Sequence, residues 1–334
     1  MTDRSDDDSR RVEKLGADRR LVWIGVNPTA GAGTRGFLVD ELTKELQGRG
    51  FEVESTSDFD QLVPECNQRW AQGDLRGVIS AGGDGTITRI VNELNPGVPV
   101  SVLRLGTENL LAKYLEIPAD PIGLADLIED GWTIPLDAGS ANGRLFLLML
   151  SCGFDADVVQ RAHAQRKGNI THLHYAKPIL DSLRNYSYPE LDLQDQPDCE
   201  SDASESEKVE SSVPERARWV FVVNLPRYAG GLQLVPNAVG TDGMLDVCTF
   251  LEGNWWNGLR YLGGVVSGLH QNLPDCETFR TSGLRIEADG EVPYQLDGDP
   301  GGMLPVDIKV LPARIKCIVG ADWLRQHGHK PSSC

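Results

Sequence analysis

Short apolar runs alternate with helically spaced apolar residues through the first third of the chain. Leu21-Val22-Trp23-Ile24-Gly25-Val26, closed by Asn27-Pro28, reads as a buried strand. Phe37, Leu38, Leu42 and Leu46 recur at helical spacing and stop near Gly48 and Gly50. Phe51 to Ser55 alternates as a second strand, and Leu62 to Ala71 gives a weaker helix. Gly77 to Ser80 is a third strand, followed by a glycine-rich turn and a helix through Ile87, Ile90, Val91 and Leu94. Pro99 to Leu105 is a fourth strand, followed by helices over Leu111 to Leu115 and Pro121 to Glu129. Strands that alternate with helices predict a doubly wound, mostly parallel sheet with helices on both faces. Ligands of such sheets bind at the carboxyl ends of the strands. The turns after the first, third and fourth strands fall there.

The pattern changes after Pro135. Leu136 to Gly139 and Arg144 to Leu150 read as β structure, and one helix pair follows, Ala156 to Arg166 and Tyr175 to Tyr186. From Arg218 onward short strands dominate: Trp219 to Asn224, Met244 to Phe250, Gly283 to Ala288, Tyr294 to Asp297, Val306 to Leu311 and Ile315 to Val319. The expected plan is an α/β domain over 20–135 and a β-rich domain over 136–320. Residues 1–19 read as a disordered polar tail, and 321–334 as a C-terminal tail that packs on the first domain. About 192–215, a Ser/Glu/Asp-rich segment has too little apolar content to join a core and reads as a disordered acidic loop.

Composition narrows the function classes. At 40% hydrophobic and 24% charged residues the chain is an ordinary globular protein. A net charge of −17 argues against attraction of the whole molecule to nucleic acid or to anionic membrane by its mean field, and leaves room only for a local basic patch. Seven scattered cysteines without a Cys-x-x-Cys pair argue for a reducing cytoplasm and against a zinc site. No apolar run approaches the ~20 residues that span a bilayer, and the charged first twenty residues do not read as a signal peptide. A cytoplasmic protein is expected, and a lipid substrate would be met at the membrane surface.

The candidate chemistry centres on Gly82-Gly83-Asp84-Gly85-Thr86, placed between a strand and a helix. Glycines allow positive φ and close approach of a ligand, and N–H groups at a helix start attract anions. A plain strand-to-helix turn with Asp84 and Thr86 as caps is the simpler alternative. His172 and His174 lack a third metal ligand and read as surface. Trp255-Trp256, Leu259, Tyr261, Leu262, Val265, Val266 and Leu269 form a partly helical apolar stretch, for which core packing is preferred over membrane contact.

Six motifs in order carry a family resemblance over about residues 20–320. Asn27-Pro28-Thr29-Ala30-Gly31, Gly82 to Thr86, Gly106-Thr107-Glu108-Asn109, Gly153-Phe154-Asp155-Ala156, Asp242-Gly243-Met244-Leu245-Asp246 and Asp297-Gly298-Asp299 resemble those of the diacylglycerol kinase catalytic-domain family. That family also holds sphingosine and ceramide kinases. The resemblance implies an ATP-dependent lipid kinase with an α/β domain and a β-sandwich-like domain enclosing a cleft. It implies nucleotide contacts from Asn27, Pro28, Thr29, Ala30 and Gly31, from Gly82, Gly83, Asp84, Gly85, Thr86, Ile87 and Thr88, and from Thr107 and Asn109. It implies Asp299 as the base, with Asp297 beside it and Asp84 at the phosphates. It also implies magnesium held by the Asp242 side chain and the carbonyls of Val239 and Met244. Two departures stand out: Leu110 replaces an aspartate common in the family, and Asp299 replaces a glutamate. An NAD kinase, which shares the Gly-Gly-Asp-Gly-Thr motif, and a nucleotide-binding protein without kinase activity remain alternatives. The oligomeric state is open, a homodimer included.

Overall fold

The computed structural model describes residues 12–30, 36–165, 173–196 and 213–327. Gly31, His172, most of the acidic segment and both chain ends fall outside them, as does the helix end expected at Arg166. The chain divides into two units. The first holds the described residues up to Asp137 and again from Pro312, and the second holds Ala138–Leu311.

The first unit is built on a parallel sheet. Strand β1 (Glu13–Lys14), inside the stretch read as a disordered tail, pairs antiparallel with Thr133 and Trp132. Strands β2 (Leu21–Val26), β3 (Glu52–Thr56), β4 (Leu75–Gly82) and β5 (Pro99–Arg104) alternate with helices α1 (Phe37–Gly48), α2 (Phe59–Gln72), α3 (Asp84–Glu93), α4 (Leu110–Tyr114) and α5 (Pro121–Asp130). β2 pairs with both β3 and β4, and β4 with β5, all parallel. β4 is buried along its whole length, Arg76 and Ser80 included, as expected of a central parallel strand. Helix α2 starts three residues before the expected Leu62, at Phe59, which is buried with Leu62, Val63 and Cys66 on one face. Asp58 caps it, accepting the Asp60 and Gln61 N–H groups at 3.0 and 3.3 Å. Gly73 ends it in the left-handed region.

The second unit is antiparallel. Strands β6 (Trp132–Ala141), β7 (Arg144–Phe146) and β8 (Met149–Gly153) lead to helices α6 (Phe154–Ala164) and α7 (Leu173–Asn185). Strands β9 (Leu191–Asp195), β10 (Arg216–Ala217), β11 (Trp219–Val223) and β12 (Leu245–Phe250) follow, then helix α8 (Trp255–Ser267). Strands β13 (Cys276–Thr281), β14 (Gly283–Ala288), β15 (Pro293–Leu296), β16 (Asp299–Met303) and β17 (Val306–Val319) precede helix α9 (Ala321–Gln326). One layer runs β13-β12-β11-β8-β15-β16. The other pairs β9 with β10 and β14, and β14 with the start of β17. Leu150, Val220, Val222 and Val247 of the first layer meet Leu193, Leu284, Ile286 and Ile308 of the second in one core, a sandwich arrangement.

Two boundaries differ from the sequence reading. The last half of β17 joins the first unit, with Lys316 and Cys317 pairing parallel to Pro99 and Val100. Alternation identifies a strand but not the sheet whose edge it completes. The acidic segment also starts later than expected. Leu191 and Leu193 are buried on β9 while Asp192 and Gln194 are exposed, an alternation hidden by acidic neighbours. At the C-terminal end, the Trp323 indole donates to the Tyr114 carbonyl at 2.9 Å. Among the described residues no helix is long and apolar enough to cross a membrane.

Candidate functional site

The glycine-rich turns of the first unit hold one another. Asn27 closes β2, and its Nδ2 donates to Thr86 Oγ1 at 3.0 Å. Its Oδ1 accepts both the N–H and the hydroxyl of Thr29. The Leu105 and Gly106 N–H groups donate to the Gly82 carbonyl. A Cβ on Gly106 would lie 2.5 Å from the Gly83 Cα, so the two turns need glycine to approach each other. Asn109 sits in the left-handed region at φ 50° and exchanges hydrogen bonds with Gly106 through both side-chain atoms. Ile87 and Thr88 are buried, whereas Pro28, Gly85 and Thr107 are exposed. The structure thus brings the sequence-predicted residues of these turns together, with Gly31 outside the described residues.

Asp84 has a defined job in this cluster. Its Oδ2 accepts the Leu110 N–H at 2.9 Å and its Oδ1 accepts the Leu111 N–H at 3.1 Å. It therefore caps α4 from a different turn and satisfies donors that a helix start leaves open. Burial pushes its carboxyl above the ordinary aspartate range, against the pull of those two N–H groups. Leu110, in place of the family's aspartate, is buried beside it.

In the second unit the Asp297-Gly298-Asp299 turn separates two acids that look equivalent in sequence. Asp297 accepts the N–H groups of Leu147, Leu148 and Met149 at 2.8, 2.8 and 3.0 Å. Those three bonds position the Leu147–Met149 backbone, and Asp297 stays two residues from Asp299. Asp299 has a side chain 48% exposed, and its Oδ1 lies 3.4 Å from His163 Nε2. The same nitrogen lies 3.1 Å from the Gly298 carbonyl. The Gly298 N–H donates to Gln295 Oε1 at 2.7 Å, and Gln295 Nε2 donates to Ser151 at 2.9 Å. Asp155 completes the brace, accepting the Ser151 and Tyr228 hydroxyls at 2.6 and 2.7 Å. Burial pushes the Asp155 carboxyl up.

Sequence reasoning missed His163, Ser151, Tyr228 and Gln295. Asp155 stood inside a quoted motif without a role. No spacing signal links these residues, because the sheet register alone brings Ser151 opposite Gln295.

The residues around Asp242 do not suit a resident magnesium ion. Hard oxygen donors are right for that ion, but Asp242 is already neutralised. Its Oδ1 accepts the Met244 N–H at 3.1 Å and its Oδ2 pairs with Arg280. Arg280 also lies 3.6 Å from Asp246, its cross-strand neighbour in β13 and β12. Val239 is exposed, and no group of three or more metal-binding side chains occurs among the described residues. Magnesium is expected to shift the melting temperature of the wild type by less than about 1 °C. Arg280→Ala leaves two acids unneutralised and should cost about 0.5–1 kcal/mol, the range of a solvent-exposed ion pair. Thermal melts with magnesium and with chelator check this, and a clear magnesium stabilisation of the wild type alone contradicts it.

Residues 22–141 match the family model described as diacylglycerol kinase catalytic domain. Residues 149–319 match the one described as YegS C-terminal NAD kinase beta sandwich-like domain. The chain belongs to the diacylglycerol kinase catalytic-domain family. It is 25% identical to the diacylglycerol kinase of Bacillus subtilis over 296 residues, 86% of this chain and 91% of that protein. It is 26% identical to the diacylglycerol kinase of Mycobacterium tuberculosis over 303 residues, 87% of this chain and 93% of that one. A diacylglycerol kinase structure from Bacillus anthracis superposes with a TM-score of 0.64 at 20% identity, covering 92% of this chain and 99% of that one. At that identity the superposition bears on the fold. Family membership supports a kinase, with the acceptor still to be assigned.

Proposed function

We propose that the protein is a lipid kinase that transfers the γ-phosphoryl group of ATP to a hydroxyl of diacylglycerol or a related lipid. The observation that carries this reading is the division of labour in the Asp297–Asp299 turn. One acid is spent on three backbone N–H groups, and the other is left half exposed on a braced turn. In the proposed reaction the lipid hydroxyl oxygen attacks the γ-phosphorus and its proton passes to the Asp299 carboxylate. The bond from the γ-phosphorus to its bridging oxygen breaks, and ADP leaves. The turns at Asn27–Ala30, Gly82–Thr88 and Thr107 position the nucleotide, with the N–H groups at the very start of α3 offered to phosphate. Magnesium carried by the nucleotide would neutralise phosphate charge. Asp84 acts there by fixing the turn before α4 rather than as an open ligand.

A second reading takes NAD as the acceptor, supported by the description of the matched C-terminal domain. Purified protein is incubated with γ-labelled ATP, magnesium, detergent-dispersed diacylglycerol, a panel of other lipids, and NAD. Label in diacylglycerol or another lipid is the expected result. Label in NAD favours the second reading, and no transfer to any acceptor overturns both.

A further inference from the structure

Helix α8 is fixed on one side and uncovered on the other. Gly258, Tyr261 and Val265 are buried. The Tyr261 ring lies 4.4 Å from that of Phe250, and the Tyr261 hydroxyl and Arg260 both bond Asp275. Asn254 caps the start by accepting the Asn257 N–H at 2.9 Å. Helix α7 approaches closely over Gly258, where a Cβ would lie 3.3 Å from Leu183.

On the opposite side Trp255 and Trp256 are each 61% exposed and Val266 is 70% exposed, with Leu259 and Leu269 also exposed. Positions 255, 259 and 266 share one helical stripe. Five of the ten large hydrophobics exposed among the described residues fall between 255 and 269, so the patch is concentrated rather than scattered. Core packing, the reading preferred from sequence, accounts for Tyr261 and Val265 but not for these side chains.

We propose that this face docks the protein on an anionic lipid bilayer, an inference that rests on a lipid being the phosphoryl acceptor. The charges select this occupant. The mean field of a molecule carrying −17 opposes an anionic surface, so the selection is local, and α8 contains no acid. Lys177 and Arg184 are exposed on α7. Across the two helices, the exposed Lys177 and Arg184 stand against one acid, Asp181, while Arg260 is already paired with Asp275. A second copy meeting this face about a two-fold axis would bring like charge to like charge. An anionic leaflet brings the opposite sign. Adjacent tryptophans suit the headgroup boundary, with an apolar ring and a donor N–H. Leu180, exposed on α7, extends the apolar surface.

The test is flotation of the whole protein with vesicles that contain neither diacylglycerol nor nucleotide. Wild type is expected to float with phosphatidylcholine–phosphatidylglycerol vesicles and to do so weakly with phosphatidylcholine alone. Trp255→Ser combined with Trp256→Ser should lower vesicle affinity roughly 10–100-fold. Lys177→Glu with Arg184→Glu should remove the preference for anionic vesicles. These side chains are exposed, so an unchanged melting temperature verifies that each variant folds. Wild type that stays with the sedimented fraction, or a tryptophan variant that floats equally well, overturns the proposal. A concentration-dependent dimer that the tryptophan variant abolishes, without vesicle binding by wild type, assigns the face to a second copy instead. Phosphorylation of detergent-dispersed lipid is measured separately, so loss of docking and loss of the kinase reading are distinguishable.

Discussion

Asp299→Asn is expected to cut turnover by ~10²–10⁴-fold, the usual cost of losing general-base help, while the folded protein stays intact. The half-exposed Asp299 touches His163 and accepts no backbone donor among the hydrogen bonds found in the turn. Its stability change should stay within ~0.5 kcal/mol. Asp297→Asn should behave in the opposite way. The amide keeps one acceptor oxygen and tolerates the left-handed conformation at φ 52°. It cannot serve three N–H groups at once, and Leu147, Leu148 and Met149 are buried where water cannot replace the lost partner. One or two unsatisfied donors cost about 2–4 kcal/mol, and turnover falls because the Asp299 turn loses its anchor. Urea unfolding beside turnover of the accepted lipid separates the two. Asp299→Asn with full turnover, or Asp297→Asn with unchanged stability, would show that the roles are misassigned.

The contrast shows what the sequence carries. The parallel sheet of the first unit was legible because β2, β4 and β5 are buried runs bounded by turn residues. The glycine-rich turns were legible as a set for the same reason. What alternation cannot express is partner choice. Ile315–Val319 reads as a strand without saying that β5 is its neighbour. Asp297 and Asp299 read as equal acids until the register of β15 on β8 sets one of them under the N–H groups of Leu147 to Met149. His163 was invisible because α6 brings it to a turn 135 residues later. Asp84 read as a phosphate or metal contact because a carboxylate in a glycine turn has that commonest use. Here each of its oxygens accepts one N–H of α4, a use that the sequence does not show.

That use of Asp84 decides what Leu110→Asp should do. Restoring the family's carboxylate is expected to lower stability by about 3 kcal/mol or more and to reduce turnover. Leu110 is buried, and truncating a buried leucine alone costs ~2–5 kcal/mol. The new acid would also sit next to Asp84, whose carboxyl burial already pushes up and Glu108 pushes further. The sign of the pH dependence follows. A carboxyl whose folded pKa is raised contributes stability that is complete below its unfolded value of about 4. That contribution is lost as pH rises through the folded pKa. A second buried acid loses stability in the same direction, so the gap between wild type and Leu110→Asp should widen from about pH 4 to pH 7. Leu110→Ala removes the packing without adding charge, and its gap should stay nearly constant over that range. Urea midpoints at three pH values measure both. If Leu110→Asp matched Leu110→Ala at pH 7 and raised turnover on diacylglycerol, the turn before α4 would be built to hold a second carboxylate, and Leu110 would be an incidental loss. If turnover falls with the widening gap, the turn depends on an apolar residue under the Asp84 cap, and the phosphate charge must be met by groups other than a carboxylate-bound metal at this position.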